Sequence, residues 1–145
     1  MITFYSVALV TGAGGAIGQA CILQFARDGV TKIVGIDLAE VSLRETASML
    51  CNEFPRVEFE PLIADLSDEE QVKLAFEKAV NRFDRIDYAV NNAAIAGPMT
   101  KTSDTDSLAF DRVLGTNLKG VWFCERLELS LMLKQSPLNV VDGTL

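Results

Sequence analysis

At 145 residues the chain is long enough for one domain with a real core and too short for two ordinary ones. Its 13 basic and 20 acidic residues give a net charge of −7, and the basic ones are scattered, so no Lys/Arg stripe exists to neutralise nucleic-acid phosphates and the acid excess reads as solvated surface. Although 49% of the residues are hydrophobic, no apolar run is long enough to span a bilayer, and Met1 to Ser6 lacks the regions of a signal peptide, which predicts a soluble, cytoplasmic protein.

In chain order, Tyr5 to Thr11 reads as a buried parallel strand and Ala16 to Asp28 as the helix crossing over it, stopped by Gly29. Lys32 to Asp37 is a second strand, and a helix runs from about Val41 to Glu53 until Pro55 ends it. Arg56 to Ala64 is a third strand containing Pro61, which cannot donate to a ladder and so belongs at or near a sheet edge. Ser67 with Glu70 reads as a capping box for the next helix, whose apolar positions Val72, Ala75, Phe76, Ala79, Val80 and Phe83 repeat at helical spacing. Ile86 to Asn92 is a fourth strand. The alternation predicts an α/β fold, a Rossmann-type doubly wound parallel sheet of about four strands in the order 3-2-1-4.

Beyond it, Gly97 to Asp106 is a loop on the carboxyl side of the sheet, where ligands bind in such folds. A long helical pattern from Ser107 to about Leu133 carries Phe110, Val113, Leu114, Leu118, Val121 and Trp122 as its expected core face. Asn117 falls on that face, where a buried amide either anchors a hydrogen-bond network or holds a water. Gly115 and Gly120 bracket it and mark the place for a bend. Residues 135 to 145 form an irregular tail with an Asp142-Gly143 turn. Cys21, Cys51 and Cys124 are odd in number and widely spaced, and there is no histidine, which argues against a disulfide framework or any metal site and for a reducing compartment.

The chemistry concentrates where the first strand runs into glycines and a helix. Gly12, Gly15 and Gly18 allow a tight turn with exposed backbone N–H groups, and the helix N-terminus aims roughly half a positive charge at the same place, a geometry suited to a pyrophosphate. The strict G-x-G-x-x-G spacing is broken by Ile17. Asp37, about twenty residues on at the end of the second strand, can accept hydrogen bonds from both hydroxyls of an adenosine ribose. A 2′-phosphate would meet its negative charge, and Ala13 and Leu38 offer no cation, so NAD is preferred over NADP. The bland alternative is that Asp37 caps the next helix.

These residues resemble the short-chain dehydrogenases/reductases. Thr11-Gly12-x-x-x-Ala16-Ile17-Gly18 is similar to the family's T-G-x-x-x-G-I-G turn, with Ala16 for the usual glycine; through Gly15 it also fits the extended subfamily's turn. Asn91-Asn92-Ala93-Ala94 resembles its N-N-A-G motif, and G-T-N-L-K-G-V around Asn117 tips the choice to the classical branch. The resemblance implies that Gly12, Gly14, Gly15, Ala16, Ile17 and Gly18 hold the pyrophosphate and that Asp37, with Leu38 beside it, holds the adenosine ribose. It assigns Asp65 and Leu66 to the adenine ring, and Asn91 and Asn92, followed by Ala93, to the ribose side, where the two asparagines also tie the fourth strand to its neighbours. Asn117 matches the catalytic asparagine that holds a water in the proton relay.

The resemblance covers only the family's amino-terminal half. The tyrosine general acid/base, the lysine four residues later and the substrate-orienting serine all belong after Asn117, and the only tyrosines here, Tyr5 and Tyr88, are followed four residues on by Leu9 and Asn92. Two readings follow: a dehydrogenase acting on an alcohol or ketone whose sequence is cut short, or a non-catalytic dinucleotide-binding or interaction protein that ends here. In either reading the bare chain is expected to be inactive. With the fourth strand left as an edge, it is also expected to be homo-oligomeric or aggregation-prone.

Overall fold

In the computed structural model, which describes residues 6–138, the uncharged run V-A-L-V-T forms strand β1 (Val7–Thr11) with every residue buried. A strand can be apolar on both faces only if both are covered, and that is what the order of elements provides. β1 is followed by α1 (Ala16–Arg27), β2 (Lys32–Asp37), α2 (Glu40–Glu53), β3 (Glu58–Ile63), α3 (Glu69–Phe83) and β4 (Tyr88–Asn91). The four strands form one parallel sheet in the order β3-β2-β1-β4, with Leu9 paired to Val34 on one side and Ala89 on the other. The expected Rossmann-type topology is therefore present. Pro61 lies in edge strand β3 opposite Gly35, where its missing N–H costs the sheet nothing on the solvent side.

Alternate side chains of β1 feed two cores. Ala8 and Val10 pack with Ile22 of α1 and Leu43 and Leu50 of α2; Val7 and Leu9 pack with Val72, Phe76 and Ala79 of α3 and with Phe123 and Cys124 farther along. Of the expected buried stripe on α3, Val80 alone is only half-buried.

Several boundaries move, each for a local reason. Tyr5 lies outside the described residues. α1 ends at Arg27, with Asp28 as its last capping residue and Gly29 taking the left-handed turn at φ 96°. The cap of α3 is Asp68 rather than Ser67: the Asp68 carboxylate accepts the N–H groups of Glu70 and Gln71, while the Ser67 hydroxyl is already given to Asp65 Oδ1 at 2.7 Å. β4 is shorter than Ile86 to Asn92, because the N–H of Asn92 turns off the ladder to Thr11 Oγ1 at 3.1 Å.

The long helix is three pieces: α4 (Ser107–Leu114), a π-helical segment (Gly115–Gly120) and α5 (Val121–Met132). The two glycines flank the irregularity as anticipated, but the core face differs. Phe110, Leu114, Leu118 and Trp122 are exposed and α4 buries no residue, whereas Gly120, Phe123, Cys124 and Glu128 are buried. A π turn carries an extra residue, so the stripe that faces the sheet in α5 is out of phase with the one read continuously through α4. The tail begins tied down: the Gln135 amide donates to Ile86 O at 2.7 Å and accepts the Ile86 N–H at 3.2 Å. The Asp142-Gly143 turn lies outside the described residues. Among the described residues no helix is long and apolar enough to cross a membrane.

Candidate functional site

The site begins where β1 stops. Gly12 takes φ +67°, and a Cβ there would stand 2.8 Å from Asn92 Nδ2. Gly18 is held against the turn so closely that a Cβ would lie 2.1 Å from Gly12 O, so no other residue fits without moving the backbone. The chain enters α1 through Gly15, which carries no side-chain cap. The N–H groups of the first turn are thus left without a side-chain partner, and they sit beside a cleft lined by Gly12, Gly15, Ala16 and Ile17. Unpaired donors at the positive end of a helix form an anion-binding site.

Side chains from three other elements fix the turn. The Thr46 hydroxyl, buried on α2, has its proton between Ala13 O at 2.9 Å and Ser42 O at 3.0 Å, and it accepts a hydrogen bond from Gln19 Nε2 at 3.2 Å. Thr11 Oγ1 accepts the N–H groups of both Asn92 and Ala93 at 3.1 Å, while the Asn92 amide donates to Thr11 O at 3.0 Å and Gly12 O at 3.3 Å. Asp37 closes the frame: Oδ2 accepts the Gly14 N–H and Oδ1 the Ala39 N–H, each at 2.9 Å. The capping reading of Asp37 is met by its bond to the Ala39 N–H. The carboxylate holds the entry into α2, whose formal cap Ala39 has no side chain to contribute, and it faces the cleft with acceptor capacity left on both oxygens.

The cleft has a volume of about 480 Å³, within the range of small-molecule sites. It gathers Gly12, Gly15, Ala16, Ile17, Asp37, Leu38, Asp65, Leu66, Asn92 and Ala93 of the residues anticipated from sequence. Ile17 and Leu38 line it with 71% and 65% of their surface exposed. Asp65 is held by Ser67, whose N–H and hydroxyl both donate to Oδ1. Among the described residues, no Lys or Arg lines this cleft.

Four anticipated residues, Gly14, Gly18, Asn91 and Asn117, stand back from the lining. Gly14 gives its N–H to Asp37, Gly18 is buried beneath the turn, and Asn91 points the other way, donating from Nδ2 to Glu128 Oε2 at 3.0 Å. Asn117, in the π-helical segment, makes a two-way pair with the Ile95 backbone, accepting its N–H at 2.9 Å and donating to its carbonyl at 3.0 Å. Of the two roles open to a half-buried amide, anchoring is the one its contacts fill. Gly120 brings the same segment onto the loop after β3, where a Cβ would be 2.8 Å from Leu66 O.

Sequence reading missed Ile36, Ala64, Ala94, Ile95 and Thr116 in the lining, and Thr46 behind it. Thr116 carried a signal in being next to Asn117; Thr46 carried none, since a threonine within a helix commonly bonds back to its own turn.

The chain matches the family model for short chain dehydrogenase over residues 6–142. Levodione reductase of Leifsonia aquatica is 32% identical over 136 residues, which are 94% of this chain and 51% of that protein. The 3-oxoacyl-(acyl-carrier-protein) reductase of Thermotoga maritima is 33% identical over 140 residues, 94% of this chain and 54% of that one. In three dimensions the crystal structure of NAD+-bound xylitol dehydrogenase superposes with a TM-score of 0.84 at 31% identity, over 91% of this chain and 50% of that one. The chain therefore spans about half the length of the curated relatives it matches. With the glycine turn, the acid at the end of β2 and the strand order already in place, the match over nearly all its residues makes this chain a member of the short chain dehydrogenase family.

Proposed function

We propose that this chain binds NAD(H) in the cleft at the end of β1, as the dinucleotide-binding half of an oxidoreductase that moves a hydride between nicotinamide and an alcohol or ketone. The observation that carries the reading is the Asp37 carboxylate, pinned by the Gly14 and Ala39 N–H groups beside an uncapped helix start. Pinning orients a charge before any ligand arrives, so little rotamer entropy is lost on binding a ribose diol. In this reading the first-turn N–H groups of α1 take the pyrophosphate, Asp37 the adenosine ribose, and Asp65 with Leu66 the adenine edge. Leu38 and Thr116 add walls to the same cleft. The absence of a cation from the lining, with an anion at the ribose, favours NAD over NADP.

The bound cofactor would supply the hydride. The chain's own contribution is to hold it and to keep Asn117 fixed on Ile95, which sets the position of the loop after β4. A proton donor is the part these residues do not offer: Tyr88 packs its ring against Phe25, 5.7 Å between centroids, on the side of the sheet occupied by α1. The 145-residue chain by itself is therefore proposed to bind cofactor without turning it over.

Titration calorimetry tests the assignment. NADH is expected to bind at least about tenfold more tightly than NADPH, the equivalent of about 1.4 kcal/mol, with Asp37→Ala closing the gap. Equal affinities in the parent chain would overturn it. Hydride transfer above background that is lost in Asn117→Ala would show that another residue supplies the proton.

A further inference from the structure

A buried acid sits outside the cleft with half of its hydrogen bonding unaccounted for. Glu128, on the sheet-facing stripe of α5, is only 5% exposed. Its Oε2 accepts from Asn91 Nδ2 at 3.0 Å, which joins α5 to the last residue of β4. The other atom of each group, Glu128 Oε1 and Asn91 Oδ1, is buried without a hydrogen-bond partner. Both bare atoms are acceptors. Turning the Asn91 amide over does not relieve this, because the pair as an ionised carboxylate and an amide is short of one donor in either orientation.

One proton supplies that donor. We propose that Glu128 is held as the neutral acid, with Oε1–H donated to Asn91 Oδ1, so that acid and amide close a ring of two hydrogen bonds clasping α5 to the end of β4. The alternative, a carboxylate deep in an apolar cluster among Phe123, Cys124 and Leu127, carries the desolvation cost of an uncompensated charge. Burial pushes the Glu128 carboxyl up from its ordinary value and the nearby Glu125 charge adds to this, against the opposing pull of the Asn91 hydrogen bond.

The neighbouring groups do not offer a counter-charge. Cys124, one turn earlier, is a thiol whose burial pushes its value up, so it stays neutral. From β4 only the uncharged Asn91 reaches Glu128; α3 sends Glu69 to α5, where it pairs with Arg126; Lys119 of the π-helical segment lies over the Phe123 ring. The clasp ends one residue before Asn92, whose amide holds the Thr11 and Gly12 carbonyls, so it steadies the strand end that supports the glycine turn.

The direction of the pH effect follows. A carboxyl whose value is higher in the folded state takes up a proton on folding. Its contribution is complete below the unfolded glutamate value of about 4.3 and is lost as pH rises through the folded value. Glu128→Gln keeps both hydrogen bonds, amide to amide, and cannot ionise. Thermal midpoints of parent and Glu128→Gln chains, measured from about pH 4 to about pH 8, are expected to coincide at the acid end and separate with rising pH, the variant becoming the more stable. Parallel profiles, or a variant less stable throughout, would overturn the proposal. Infrared difference spectra of the parent chain against Glu128→Gln give a second readout that needs no cooperative melt. A protonated-carboxyl C=O band at neutral pH, present only in the parent and shifted in heavy water, supports the clasp; absence of that band refutes it.

Discussion

The two faces of the sheet are built from the same strand and treat polar groups in opposite ways. On the face covered by α1 and α2, the buried polar side chain Thr46 is satisfied on every side, and the exposed apolar side chains Ile17 and Leu38 line the cleft. On the face covered by α3 and α5 the buried Glu128 is half satisfied among the described residues, and the exposed apolar residues Leu114, Leu118, Trp122 and Leu129 lie along the helical segment beside β4. β4 pairs with β1 alone among the described strands, whereas β1 is enclosed between β2 and β4. The contrast teaches where fixity is needed. The glycine turn is over-determined by Thr11, Thr46, Asp37 and Asn92, while the flank away from it leaves Leu114, Leu118, Trp122 and Leu129 exposed.

The sharpest way to break the first face is Gly18→Val. Its Cβ would start 2.1 Å from Gly12 O, so the turn and α1 must separate. A loss of more than about 4 kcal/mol is expected in urea denaturation, together with loss of NADH binding. Full stability in this variant would mean that the turn is not the fixed point argued above. Thr46→Val tests the same face more gently. It fills the same volume but leaves Ala13 O and Gln19 without their partner, and a loss of about 1 to 3 kcal/mol is expected in the same measurement.

The second face should respond in the opposite sense. The double variant Leu118→Gln, Leu129→Gln removes side chains that are 65% and 58% exposed, so stability should change by no more than about 0.5 kcal/mol per site. Association should fall instead: light scattering is expected to report larger species for the parent chain and smaller ones for the variant, since contiguous apolar patches of this kind seldom persist in monomers. A monodisperse parent monomer would remove the contrast between the faces. The finest distinction is dynamic. Because α4 buries no residue, its amides are expected to exchange with heavy water through local opening, well before those of α1, which wait for global unfolding.

The strands, the glycine turn and Asp37 were legible in the residues because each is a short-range pattern: short continuous apolar runs, glycine spacing, and one acid at the end of one strand. The Asp68 cap was missed by one position, since choosing between two adjacent cap residues depends on which one a third residue, Asp65, engages. The core stripe of the long helix was misread because a π turn shifts the phase after Gly115, and because a glutamate was not counted among core residues. The roles of Thr46 and Glu128, and the partner of Asn91, were not readable at all. Each is defined by a partner on another element, Ala13 for Thr46 across 33 positions, and Asn91 and Glu128 for each other across 37.

The sequence by itself therefore determined the alternation of strand and helix, the parallel sheet and the glycine turn where β1 ends, because backbone propensity and local spacing set all three. Only the tertiary structure decided which polar side chains are paired, which helix face is buried and which acid loses its charge. Those outcomes depend on the distance between groups far apart in the chain and on how much water is left around them, and neither quantity is written in the order of the residues.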